Sequence, residues 1–102
     1  MKYQLVLQWS VSSPDGYDAI VEIEERLTES LSEIAEVDGH DAGSGEMNIF
    51  IETDDPVAAF NEARTILDVF GFFATVRAAY RDMDEDDYTI LWPHGLETFA
   101  VL

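Results

Sequence analysis

The chain has 102 residues and no cysteine, and its 22 Asp and Glu against five Lys and Arg give a net charge of −17. This length predicts one domain, residues 1–102, whose core is large enough to need no disulfide or metal. The lack of cysteine excludes disulfide scaffolds, zinc–thiolate sites, iron–sulfur clusters and thiol catalysis. The charge makes nucleic acid and anionic membranes poor partners, and we expect neither.

The N-terminal segment and the charge also bear on the cellular compartment. MKYQLVLQWSV alternates in polarity and lacks the continuous apolar core of a signal peptide, and no apolar stretch approaches the ~18 residues of a membrane-spanning helix. Together with the lack of cysteine, this predicts a soluble cytoplasmic protein. The acidity fits two explanations equally well: adaptation to high salt, or an acidic face that binds a basic partner.

Polarity patterns divide the first half of the chain into four elements. Residues 2–11 alternate between apolar and polar, which predicts a half-buried strand. After a turn at residues 12–16, apolar residues recur at three- and four-residue steps, which predicts an amphipathic helix over 17–33. A short strand is expected over 34–40, and a third strand over 46–53.

The second half begins with helix-start signals. Asp55 is placed to cap a second helix and Pro56 to open it, and the apolar periodicity continues to Phe70. Gly71 then stands where a C-cap glycine belongs. The remaining pattern predicts, in order, a strand at 72–81, an acidic turn at 81–87, a fifth strand at 88–92 and a tail at 93–102.

This order of elements predicts a ferredoxin-like α+β sandwich: an antiparallel sheet with two helices on one face and an appended C-terminal strand. The expected sheet order is five-four-one-three-two, and the alternative is another strand order in the same class. The helices are expected on the face that carries Leu5, Leu7, Trp9, Ile49 and Ile51.

The opposite face of the predicted sheet is mixed in polarity. Its expected members are Gln4, Val6, Gln8, Asn48, Phe50, Glu52, Phe73, Thr75 and Arg77. The apolar residues Val6, Phe50 and Phe73 need cover, which either a homodimer with the two sheets packed face to face or the tail folded across the sheet would provide.

The segment DGHDAGSGEMNIF, residues 38–50, contains possible oxygen and nitrogen ligands. An EF-hand that begins at Asp38 has glycine at position six, but His40 stands at position three and Ile49 at position twelve, so the template fails. A hairpin turn explains the segment better, because glycines supply positive φ angles and aspartate bonds to neighbouring amides. The loop residues whose role the sequence leaves open are Asp38, His40, Asp41, Gly43, Gly45 and Glu46.

The sequence offers no catalytic motif. No serine stands in a G-x-S-x-G setting, and the two histidines, His40 and His94, are expected at opposite edges of the sheet. We therefore predict no catalytic residue, no metal site and no cofactor, and we lean against an enzyme.

Three strings carry a resemblance to a known family: LQWSVSS, EVDGHDAGSGEMNIFIETDDP and YTILWPHGL. They resemble a family of small, functionally uncharacterised bacterial proteins that span essentially this whole length, and D-G-H-D-x-G-S-G-E-x-N-I-F-I, residues 38–51, is the most specific part. The resemblance implies a compact α+β domain and no catalytic residue. Some short acidic bacterial proteins of similar make-up serve as immunity or accessory proteins.

Carboxylates recur at three- and four-residue steps on the first helix, opposite its apolar face, with few basic residues between them. We expect this stripe and the acidic turn to bind a partner through Glu22, Glu25, Glu29, Glu33, Glu36, Asp82, Asp84, Glu85, Asp86 and Asp87. The favoured function is a non-catalytic interaction protein that binds a basic protein, of immunity or accessory type. The alternative is a small-molecule or metal-binding domain, with or without enzymatic activity, that uses the loop at 38–46.

Overall fold

A computed structural model describes residues 2–11, 13–43 and 45–101. Within these residues the chain forms five strands, two α helices and one 3-10 turn. In chain order the elements are β1 (Tyr3–Ser10), α1 (Pro14–Ser30), β2 (Ala35–Gly43), β3 (Glu46–Thr53), α2 (Pro56–Val69), the 3-10 turn (Phe73–Thr75), β4 (Arg77–Asp82) and β5 (Thr89–Trp92).

The strands form one sheet in the order β2-β3-β1-β4-β5, and each neighbouring pair is antiparallel. This confirms the predicted ferredoxin-like α+β sandwich and its strand order. The facing prediction is also confirmed, because Leu5, Leu7, Trp9, Ile49 and Ile51 are all buried in one cluster with residues of both helices. Among the described residues, no helix is both long enough and apolar enough to cross a membrane.

Helix α1 begins and ends three residues earlier than predicted. Ser13 is its N-cap, and the Ser13 hydroxyl accepts a hydrogen bond of 3.2 Å from the Gly16 amide. Ser-Pro at the cap and first helical position is a start signal, and here it prevails over the turn propensity of the same residues. At the other end the amides of Ile34 and Ala35 both bond to the Leu31 carbonyl, so the chain turns there instead of continuing as a helix.

Helix α2 confirms its predicted boundaries. The Asp55 carboxylate accepts a hydrogen bond of 3.1 Å from the Ala58 amide, and Pro56 is the first helical residue. Gly71 has a φ of 78°. The Gly71 amide donates a hydrogen bond to the Asp68 carbonyl, and the Phe72 amide donates one of 2.8 Å to the Leu67 carbonyl. These are the paired bonds of a Schellman cap.

The predicted strand over 72–81 is wrong in its first half. Phe73–Thr75 is a 3-10 turn, and β4 starts only at Arg77. The Phe73 ring lies 5.0 Å from the Trp92 ring and 6.4 Å from the Phe60 ring, centroid to centroid. Apolar packing with α2 and β5 therefore takes Phe73 out of the sheet, and neither Phe73 nor Thr75 belongs to the sheet's outer face.

The tail covers the outer face of the sheet. Val6 and Ala79, which pair across β1 and β4 on that face, are fully buried. The side-chain amide of Gln8 donates hydrogen bonds of 2.9 Å both to the Asn48 side chain and to the Ala100 carbonyl. The bond to Ala100 thus places the chain's own C-terminal segment against the outer face at Gln8, two residues from Val6.

Candidate functional site

Four strand ends meet at one end of the sheet. Ala35 pairs with Thr53, Thr53 with Tyr3, and Tyr3 with Asp82, so these residues form a row across β2, β3, β1 and β4. The turns that follow or precede this row must lie at the same end. At ~4.8 Å between strands, the row spans about 14 Å.

The turns at this end are rich in carboxylates, and we call them together the acidic end. Its members are Glu33, Glu36, Asp54, Asp82, Asp84, Glu85, Asp86 and Asp87. The backbone of Lys2 joins its two sides: the Lys2 amide bonds to the Asp54 carboxylate at 3.0 Å, and the Lys2 carbonyl accepts from the Met83 amide at 2.9 Å. All of these carboxylate residues except Asp82 are exposed.

Two cations lie beside the acidic end, and neither is in an ion pair among the described residues. The Arg81 guanidinium is held by neutral groups: it donates to the Gln4 side chain at 3.0 Å and to the Glu85 carbonyl at 3.0 Å. The pKa of Lys2 is raised through its hydrogen bonding and charge interaction with Tyr3, and further by the carboxylates of Asp82 and Glu85. The end therefore keeps a large excess of negative charge.

The stripe predicted along the first helix is only partly helical. Glu22, Glu25 and Glu29 are exposed on α1, but Glu33 lies in the turn after the helix and Glu36 lies in β2. Because α1 runs toward the start of β2, its exposed carboxylates lead into the acidic end. The structure thus brings the predicted partner-binding residues to one end and one flank of the molecule.

A different polar group lies between α1 and the edge strand β2. The Nδ1 atom of His40 is 2.9 Å from a Glu24 carboxylate oxygen, and its Nε2 atom is 3.1 Å from the Tyr17 hydroxyl. A carboxylate only accepts hydrogen bonds, so Nδ1 carries the proton in the neutral ring and Nε2 accepts from the Tyr17 hydroxyl. The three side chains form a hydrogen-bonded chain, the Tyr17–His40–Glu24 chain, in which Tyr17 donates to His40 and His40 donates to Glu24.

Tyr17 and Glu24 were not among the residues that the sequence singled out. They stand seven residues apart on α1, a spacing that places both on one helix face. His40 pairs with Ile49, whose side chain is in the core beneath the helices, and so lies on the helix side of the sheet. The helical spacing was visible in the sequence, but only the strand register shows which helix face meets His40.

An open cavity of about 290 Å³ lies next to the Tyr17–His40–Glu24 chain, between the first turn of α1 and the β2–β3 hairpin. Tyr17 belongs both to the hydrogen-bonded chain and to the cavity wall. The described lining residues are Val11, Ser13, Tyr17, Ala42, Gly43, Gly45, Glu46 and Met47. The volume is near the lower limit for a small-molecule site.

The other residues of the 38–46 loop do not converge on His40. Most of the loop is strand: Asp41 pairs with Asn48, and a bulge between Val37 and Gly39 leaves Asp38 without a paired partner. The Glu46 carboxylate forms an ion pair with Arg77. Among the described residues, no group of three or more His, Asp or Glu is arranged to hold a metal ion.

The glycines of this loop differ from expectation. Gly45 has the predicted positive φ, 76°, but Gly43 ends β2 and has no positive φ. A second positive φ, 152°, occurs instead at Gly39, directly after the bulge. The hairpin therefore depends on Gly45 and not on Gly43.

The residues predicted for a dimer face do not form one exposed patch. Val6 is fully buried, Phe50 is half-buried on the outer face, and Phe73 lies in the 3-10 turn. The homodimer stays a prediction.

Comparison of the chain with family models, with curated proteins and with solved structures found no match. The family resemblance drawn from the sequence therefore stays a prediction, and the function is argued from the geometry alone.

Proposed function

We propose that the protein is a non-catalytic interaction protein that binds a basic protein through the acidic end and the adjoining flank of α1. The observation that supports it most strongly is the position of the carboxylates. Residues far apart in the sequence, such as Glu36 and Glu85, lie at the same end of the sheet, and within residues 2–11, 13–43 and 45–101 the cations beside them are Lys2 and Arg81.

This concentration of charge has a physical cost. Like charges at neighbouring positions destabilise a folded chain, and soluble surfaces usually intersperse both signs. A cationic partner would relieve the repulsion. Association through such a surface is expected to be fast and to weaken steeply with added salt, because screening acts on exposed charge.

A pair of charge-matched variants tests the proposal. The docking variant replaces Glu25, Glu29 and Glu33 by Gln, and the control variant carries Glu62→Gln, Asp68→Asn and Glu97→Gln, which are exposed and lie outside the acidic end and its flank. Each removes the same charge. Immobilised wild-type protein is expected to retain a basic protein from native lysate at low salt and to release it as salt rises.

The docking variant is expected to retain much less of that protein, while the control variant retains it as the wild type does. Equal loss in both variants would mean that net charge alone matters, as adaptation to high salt implies. Retention of no basic protein at low salt would reject the proposal.

The second candidate function, a small-molecule site at the 38–46 loop, is supported by a different observation. The cavity at the hairpin and the Tyr17–His40–Glu24 chain adjoin each other at a point well away from the acidic end.

A further inference from the structure

We propose that Tyr17 is a nucleophilic hydroxyl that accepts an acyl group from a small activated ester, with His40 as its general base and Glu24 as the residue that positions His40. The proposal does not depend on binding of a basic partner, because the acidic end contributes no residue to it.

The arrangement has the three parts that activate a hydroxyl nucleophile: the hydroxyl itself, a base within hydrogen-bond reach, and a third group that orients the base. The distances are 3.1 Å from the Tyr17 hydroxyl to His40 Nε2, and 2.9 and 3.0 Å from His40 Nδ1 to the two Glu24 oxygens. Glu24 thus fixes the tautomer in which Nε2 is free to take a proton.

Exposure and space favour reaction over a purely structural role. Tyr17 is 36% exposed, so its hydroxyl group is not sealed in the core. The cavity that Tyr17 lines has apolar residues such as Val11 and Met47 in its wall, which suit a small acyl group.

The bonding changes in the step balance. The Tyr17 oxygen attacks the carbonyl carbon of the ester, and its proton passes to His40 Nε2. The bond from the carbonyl carbon to the leaving oxygen breaks, and the leaving group receives the proton from His40. The products are an acyl ester of Tyr17 and the protonated leaving group, which is a phenol when the substrate is an aryl ester.

This chemistry limits the substrate class. The product is itself an aryl ester, so the leaving group must be at least as stable an anion as a phenolate. Esters of phenols meet this condition, whereas esters of simple alcohols do not. We therefore assign the site to small aryl esters and acyl donors of similar reactivity.

The experiment treats the full chain with p-nitrophenyl acetate and follows both nitrophenolate release and the acetylated positions by peptide mass spectrometry. The other three of the chain's four tyrosines, Tyr3, Tyr80 and Tyr88, serve as internal controls. We expect acetyl on Tyr17 at least tenfold above that on Tyr88, since general base catalysis contributes a hundredfold or more in rate. Ethyl acetate is expected to give none.

Two variants, and a control on the unfolded wild-type chain, distinguish activation of the Tyr17 hydroxyl by His40 from simple exposure of that hydroxyl. Tyr17→Phe should lower nitrophenolate release to the background rate set by Lys2, the N-terminus, the two histidines and the other tyrosines. His40→Gln should lower the acetylation of Tyr17 at least tenfold. In urea, where the fold is lost, the preference for Tyr17 over Tyr88 should disappear. Equal labelling of Tyr17 and Tyr88 in the folded chain, or a preference that persists in His40→Gln, would overturn the proposal.

Discussion

At the scale of single residues, His40 shows how a side chain acquires its role from its surroundings. It is one of the chain's two histidines and stands in a glycine-rich segment, where a position at the end of a strand is the ordinary expectation. Its hydrogen-bond partners, Tyr17 and Glu24, come from the preceding helix. The interest of the loop therefore lies in one histidine and its helical partners, and not in a set of metal ligands within the loop.

The two glycines of the hairpin give a matched test. Gly45→Ala should lower the free energy of unfolding by about 1 kcal/mol, because a φ of 76° strains any residue with a Cβ atom. Gly43→Ala should change it little, because Gly43 has no positive φ and nothing lies within 4 Å of an added Cβ. Urea denaturation of both variants measures the difference, and equal destabilisation would contradict the assigned backbone geometry.

At the scale of elements, α1 carries its charges in an unfavourable order. Its last turn contains no basic residue, and Glu29 lies there, at the negative end of the helix dipole. Such an arrangement lowers the stability of the helix, since a cation at that position would stabilise it.

Replacing Glu29 by Gln is expected to raise the free energy of unfolding by about 0.3–1 kcal/mol, by removing a negative charge from the helix C-terminus. Glu22→Gln is the control. Glu22 lies in the middle of α1, four residues before Arg26, so removing its charge should leave the free energy of unfolding unchanged or slightly lower. Thermal or urea unfolding at low salt measures both. A lower free energy of unfolding for Glu29→Gln would contradict an unfavourable interaction between Glu29 and the helix dipole.

The segment before β4 does not adopt the strand that its local pattern predicts. Alternation over residues 72–76 resembles a strand, yet Phe73–Thr75 forms a 3-10 turn. The carbonyl of Phe72 accepts a hydrogen bond of 3.0 Å from the Trp9 indole, and Phe73 stacks on Trp92. Partners from β1 and β5, both remote in sequence, decide the local conformation here.

At the scale of the whole molecule, the outer face of the sheet is closed by the tail. The Phe99 ring lies 5.1 Å from the Tyr88 ring, and the Ala100 carbonyl accepts from Gln8. A dimer that uses this face would have to displace the tail.

Removing residues 97–102 should expose Val6 and Ala79, both fully buried in the intact chain. We expect stronger binding of a hydrophobic dye and a higher mass in light scattering at micromolar concentrations, because an apolar sheet face open to water favours association. Glu97→Gln in the full chain is the control and should change neither reading. Unchanged dye binding and mass after truncation would show that the tail does not serve as cover.

The sequence by itself determined the class of fold, the strand order and the boundaries of α2. The elements and the boundaries of α2 depend on short-range signals: alternation, helical periodicity, the cap at Asp55 and the glycine at position 71. The fold class and the strand order follow from the order of those elements along the chain, which is that of the ferredoxin-like arrangement. The excess of acid was equally plain from composition, but its distribution was not.

Only the tertiary structure decided which carboxylates share one end, which helix face meets His40 and what covers the outer sheet face. Strand register sets the first, because it aligns residues as far apart as Ala35 and Asp82 in one row. The packing of α1 on β2 sets the second, and the path of the tail to Gln8 sets the third. Each is a contact between segments distant in sequence, and local pattern holds no information about such pairings because it extends over only a few residues.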